Sequence, residues 1–156
     1  MIEKIQSNKD VHKPKSHRRV ARELALQGIY QWRVAGGSTG FIEKQLSDSD
    51  VFARSDRKYF SLLLQGVLSN IASLEQQIQP CLDRPLKELS PVEFAILLLS
   101  TYELQHHLEI PYRAIINEAI ELARSYGGSD GHKYVNGVLD KLANQLRVVE
   151  ITAKSD

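Results

Sequence analysis

Glu103 and His106 form a Glu-x-x-His pair, the spacing that sets two metal ligands on one face of a helix in di-iron bundles. Such a centre needs a second pair and two more carboxylates from other helices, and no second Glu-x-x-His occurs in the chain. His106 and His107 are therefore expected at a solvated helix end, and no metal is expected. Gly127-Gly128-Ser129-Asp130-Gly131-His132-Lys133 has the glycine content of a phosphate loop. It lacks the Gly-Lys-Ser/Thr ending and a preceding strand, so a break between two helices accounts for the glycines. Cys81 has no Cys-x-x-Cys partner and lies in an apolar-flanked segment, where a buried inert thiol is expected. Nothing resembles a nucleophile elbow. Neither catalysis nor a cofactor is expected of this chain.

The cations carry a clearer pattern. Lys13, Lys15, Arg18, Arg19 and Arg22 fall within ten residues that contain no acid, with His17 among them and His12 just before. At about 100° per residue, Arg18, Arg22, Arg33, Arg19 and Tyr30 occupy roughly a third of a helical turn, beside an apolar stripe. Guanidinium forks suit phosphate oxygens, and a tyrosine ring can stack an unpaired base. Positive charge at a helix N-terminus opposes the macrodipole by about 0.3–1 kcal/mol per exposed group. Local rules are most often broken where function requires it. His132-Lys133-Tyr134, in the first turn of the last expected helix, repeats the pairing of cation with aromatic. Tyr134 equally suits a half-buried amphipathic position, and Asp130 suits a helix cap.

The net charge of +1 conceals this pattern. Residues 1–22 hold seven Lys or Arg against Glu3 and Asp10, a balance of +5, and the remaining residues hold thirteen basic and seventeen acidic groups, a balance of −4. A basic arm on a mildly acidic body suggests contact with a polyanion.

The elements that must position these groups are helical. At 156 residues, 42% apolar and 25% charged, the chain suits one compact unit or two small halves. The longest apolar run, Phe94 to Leu99, is far short of the roughly 20 residues of a membrane span. The start lacks the apolar core of a secretory signal, and a lone cysteine excludes an internal disulfide framework, so a reducing cytoplasm is the expected address. Residues 1–15 read as a flexible basic arm closed by Pro14. A helical stripe of Ala21, Leu24, Ala25, Gly28 and Trp32 follows from Ser16 to about Val34, and Phe41 to Leu46 reads as a short helix. Ser55 is expected to cap a long helix with Phe60, Leu63, Leu64, Val67, Ile71, Leu74 and Ile78 inward. Pro80 and Pro85 mark a midpoint connection.

Ser90-Pro91-Val92-Glu93 carries the serine, proline and glutamate of a capping box. The helix it opens is apolar all round from Phe94 to Leu99 and belongs at the centre of the fold. Pro111 opens another, stopped by Gly127 and Gly128, and Ser129 or Asp130 caps the last. Val148 to Ile151 is a β-prone stretch with no evident partner, left within a tail over 148–156. The expectation is an all-α protein of six to seven helices in two small bundles packed together, about 16–80 and 86–147.

Three long motifs, in this order, resemble the NusB family. They are Arg18-Arg19-x-x-Arg22 with Ala25 to Trp32, the run Pro111 to Ala123 (Pro-Tyr-Arg-Ala-Ile-Ile-Asn-Glu-Ala-Ile-Glu-Leu-Ala), and His132-Lys133-Tyr134-Val135-Asn136-Gly137-Val138-Leu139-Asp140. The resemblance covers about residues 16–147 and implies a fold of two helical bundles. It also implies a bacterial transcription antitermination factor that pairs with NusE, a small-subunit ribosomal protein. The pair binds the single-stranded boxA element of nascent ribosomal RNA and acts indirectly on the RNA polymerase elongation complex. The resemblance places RNA contacts at Arg18, Arg19 and Arg22, at Tyr30, at Glu93, and at Asp130, Lys133 and Tyr134; Lys13 and Lys15 join them as part of the basic arm.

Glu93 carries two compatible readings, cap and contact. His17 stands where many relatives carry arginine, which weakens phosphate contact, and Tyr134 where some carry phenylalanine, which keeps the stacking face. For Asn117, Glu118, Asn136 and Gly137 the residues themselves suggest helix–helix packing. Two other classes stay open: a purely protein-binding scaffold, and the regulatory module of an RNA-modification enzyme, though no strand–Gly-rich loop–helix unit is present to hold a methyl donor. Monomer and homodimer are both left open.

Overall fold

A computed structural model describes residues 15–155; the expected arm, Lys13 included, lies outside them except for Lys15. The described residues form eight α-helices and three short 3-10 turns, with no strand. They divide into two compact units, 15–69 and 70–155 of the described residues. The division falls ahead of the Pro80–Pro85 connection that the sequence suggests as a midpoint.

In the first unit α1 (His17–Ala35) begins where extended Ser16 accepts the Arg19 N–H on its hydroxyl at 3.1 Å. It stops at Gly36, whose φ of +76° is accessible to glycine at little cost. Its inner face packs on α3 (Arg57–Leu68), with α2 (Thr39–Ser47) alongside. Gly28 makes this approach feasible: a Cβ there would stand 2.7 Å from Leu64 Cδ1 and 3.0 Å from Leu46 Cδ1.

The single helix expected from Ser55 to Ile78 is corrected twice. Ser55 is buried and donates to the Phe52 carbonyl at 2.6 Å, while the Asp56 carboxylate accepts the Tyr59 N–H at 3.0 Å and so caps α3. The helix then breaks at Ser69–Asn70, and α4 (Ile71–Ile78) starts afresh. The physical reason is that the two apolar stripes serve different cores. Phe60, Leu63, Leu64 and Val67 belong with α1, whereas Leu74 and Ile78 lie on a helix that packs against α5 (Pro91–His106).

The centre of the second unit is α5, buried from Phe94 through Leu104 and contacted by α4, α6 (Tyr112–Tyr126) and α7 (Gly131–Leu146). Its uniform apolarity follows from neighbours on all sides. His106 is exposed and stacks on Tyr102 at 4.6 Å, but His107 is only 9% exposed, with Nδ1 3.0 Å from Glu109 Oε2, which corrects the expectation that both are solvated. Among the described residues no group of three or more His, Cys, Asp or Glu could hold a metal ion, and no helix is long and apolar enough to cross a membrane.

Residues expected to form a β-prone tail are instead α8 (Val148–Ser155), which together with the split of α3 from α4 raises the helix count to eight among the described residues. Arg147, at the junction of α7 and α8, explains this. It is 3% exposed and donates to the carbonyls of Leu104 (2.7 Å), His107 (2.9 Å) and Ile110 (2.9 Å), which covers the C-terminal end of α5. Glu150, in the first turn of α8, accepts from Arg147 at 2.6 Å and from the Tyr112 N–H at 3.1 Å, so it caps α6. Helical geometry at 147–150 brings this pair together, and it outweighs the weak β preference of Val148 and Val149, which stay exposed.

Candidate nucleic-acid interface

The basic start of α1 is built on an aromatic support from α3. The exposed Arg18 places its guanidinium carbon 4.3 Å from the Tyr59 ring centroid, and Arg22, one turn on, lies 5.5 Å from the same centroid. Both distances fall within cation–π range. Tyr59 is itself buried, held at the start of α3 by the Asp56 cap on its own N–H. The two arginines meet water very differently. Arg22 is only 7% exposed and belongs to the α1–α3 seam, whereas Arg18 offers its charge to solvent. Arg19 is half-buried, and its N–H is spent on the Ser16 cap. Lys15 forms a 2.7 Å ion pair with Glu23, so part of its charge is compensated within the unit.

Tyr30 is half-buried on the same helix, but the structure separates it from the cluster. At a rise of 1.5 Å per residue it stands roughly 18 Å along the axis from Arg18. One nucleotide could not meet both; an extended strand could.

In the second unit a different set converges at the start of α7. Ser90 accepts the Glu93 N–H at 3.1 Å, the serine half of the expected capping box. The Glu93 carboxylate instead lies against Gly131, where an added Cβ would come within 2.9 Å of Oε2. Asp130 occupies the cap position of α7 without a side-chain cap bond; its carboxylate pairs with Lys133 Nζ at 3.6 Å, both side chains largely exposed. Tyr134 is half-buried, with its hydroxyl shielded from solvent. Burial first, and then the charge of Asp83, hold its phenol above the ordinary value.

Over the Tyr134 ring sits Arg84, its guanidinium carbon 4.3 Å from the centroid. Asp83 grips that guanidinium, with Nε donating to Oδ1 at 2.8 Å and Nη2 to Oδ2 at 3.4 Å. The Arg84 hydrogen bond holds the Asp83 carboxyl below the ordinary carboxylate value.

Sequence reasoning missed Tyr59, Asp83 and Arg84. Tyr59 precedes the Phe60 stripe that marks the helix, and no local signal pairs it with α1. Arg84 lies in an irregular connection, and only the fold brings it onto Tyr134. Asn117 and Gly137 also depart from expectation. Both are exposed, and a Cβ at Gly137 would meet nothing within 4 Å, so helix packing inside the unit does not account for them.

Comparison with known proteins bears on the family and the fold. The model of the NusB family matches residues 19–144. The transcription antitermination protein NusB of Nitrosospira multiformis is 68% identical over 133 residues, spanning 85% of this chain and 84% of that protein. Its counterpart in Nitrosomonas europaea is 60% identical over 150 residues, spanning 96% and 88%. Among solved structures, NusB of T. maritima superposes with a TM-score of 0.73 at 30% identity, covering 85% of this chain and 94% of that one. A structure of the antitermination factors NusB and NusE in complex with dsRNA aligns with a TM-score of 0.75 at 24% identity, covering 83% and 97%, a likeness of fold. The helical architecture, the family model and relatives matched along most of their length agree, and the chain belongs to the NusB family.

Proposed function

We propose that this protein is an RNA-binding transcription antitermination factor without catalytic activity, acting in the cytoplasm. With a NusE-type ribosomal protein it binds the single-stranded boxA element of nascent ribosomal RNA and supports processive transcription by the RNA polymerase elongation complex. The carrying observation is Arg18, exposed at the start of α1 in a segment with no acid before Glu23 and seated on Tyr59. A guanidinium held in place loses less freedom when it meets a phosphate. Family membership supplies the antitermination role, and a relative of the same fold that binds NusE and dsRNA supports the choice of partners. Asp130, Lys133, Tyr134 and Glu93 then form a second contact region, where base recognition outweighs phosphate attraction because the local charges are mixed.

The test is the salt dependence of boxA RNA binding by wild type and Arg18→Ala. For each phosphate that the variant no longer neutralises, the slope of log K against log salt is expected to fall by about 0.7 for a single strand, together with weaker binding. Unchanged affinity and slope would remove the arginine face from the RNA site.

A further inference from the structure

The base-recognition surface of the second unit differs from a bare tyrosine. Tyr134 is half-buried, and the ring carries a guanidinium on one face at 4.3 Å, so an RNA base approaching from that side meets Arg84 first. Arg84 is held from two directions: by the ring beneath it and by the Asp83 carboxylate in its plane, through Nε and Nη2. Its side chain nevertheless remains 43% exposed, and Nη1 takes no part in the Asp83 pair. A planar cation with one face on an aromatic ring and its edge clamped retains its opposite face for stacking. Unpaired RNA bases stack on guanidinium planes as they do on aromatic rings. The Asp83 carboxylate also offsets part of the local positive charge, which suits a base better than a phosphate.

We propose that Arg84 is a nucleic-acid contact: its guanidinium, seated on Tyr134 and clamped by Asp83, is the platform on which one unpaired base of the bound RNA stacks. Tyr134 is then a positioning residue beneath the platform. This rests on the RNA-binding reading given above and changes which atom group meets the base. It also explains why the start of α7 tolerates Glu93 and Asp130 close by, since stacking asks for a fixed plane more than for net positive charge.

The experiment measures binding of single-stranded boxA RNA, with NusE present, by wild type, Arg84→Ala, Arg84→Lys, Tyr134→Phe and Arg18→Ala across a salt series. Loss of one stacked base corresponds to about a tenfold weaker affinity. Arg84→Ala and Arg84→Lys are both expected to lose about that much, and Arg84→Lys to keep the wild-type salt slope, because lysine keeps the charge and lacks the plane. Tyr134→Phe, which keeps the ring beneath the guanidinium, is expected to lose less affinity than either Arg84 variant. Wild-type affinity in either Arg84 variant overturns the platform. If Arg18→Ala weakens binding while the Arg84 variants do not, the platform fails and the RNA reading stands. If wild type captures no RNA at any salt concentration, that reading fails and the platform with it. Circular dichroism of each variant checks that the helices are intact, as expected for changes that leave the helix cores in place.

Discussion

Arg18 and Arg22 differ in one respect that decides their roles: the first meets water over the Tyr59 ring, and the second is enclosed beside it. Arg22→Ala is therefore expected to cost stability, on the order of 1–2 kcal/mol for a desolvated cation–π contact with its packing. Arg18→Ala should cost little of that kind. Urea melts of the two variants check this, and equal midpoints would contradict it. At Asp83 the expectation concerns pH. Its folded-state pKa is depressed, first by the hydrogen bond from Arg84, so the contribution of the pair is complete above the ordinary carboxyl value and is lost as pH falls through the lowered one. Arg84→Ala should move the Asp83 titration upward in a carboxyl NMR experiment; an unmoved midpoint would show that Arg84 is not the cause. Cys81 is buried, with its thiol pushed up by burial, so alkylation at neutral pH should wait for unfolding. The residue types that carry the candidate site, arginines without acids and an aromatic beside a cation, were legible because they are local. Tyr59 and Arg84 were not, because a partner from another element leaves no mark on the spacing of the residues it meets.

Arg147 ties the C-terminal end of α5 and the loop after it to the start of α8, and its removal would leave the carbonyls of Leu104, His107 and Ile110 without this donor. Arg147→Ala is expected to lower stability by about 3 kcal/mol, since buried acceptors lose a charged partner together. Glu150→Gln should cost less, because the amide oxygen can still accept. Thermal melts separate the two, and equal losses would contradict this role for the junction. Gly137 gives an expectation of opposite sign. It lies inside α7 with open space where a Cβ would go, so Gly137→Ala should raise stability by about 0.8–1 kcal/mol. Gly28→Ala should lower it, because Leu64 and Leu46 already fill that space. Helices with strong punctuation were readable from sequence: Ser90-Pro91 opens α5, and the glycines at 36 and 127 close α1 and α6. The split between α3 and α4 was hidden because the apolar period runs through Ser69 and Asn70 almost unbroken, and only the choice of core distinguishes the two stripes. The eighth helix was hidden because Val148 and Val149 favour a strand locally, while the hydrogen bonds that overrule them come from residues about forty positions away.

Across the whole chain the near-zero net charge is a sum of opposites, +5 over residues 1–22 and −4 over the rest. The proposed function pairs the first part with a polyanion and the second with a basic ribosomal protein, partners of complementary charge. The proposed function asks for no catalytic centre, only for surfaces that RNA and protein complete together. The fold class was legible from periodicity alone, since no segment alternates over a useful length and the helical stripes account for nearly all the buried apolar residues. The joint recognition proposed above is not written in any single motif, and the functional reading depends on it most. Filter capture of labelled boxA RNA, measured with and without the NusE partner, tests it directly. Tight capture that requires both proteins is the expected result. Absence of capture under every condition would contradict joint recognition and leave a scaffold that binds protein alone.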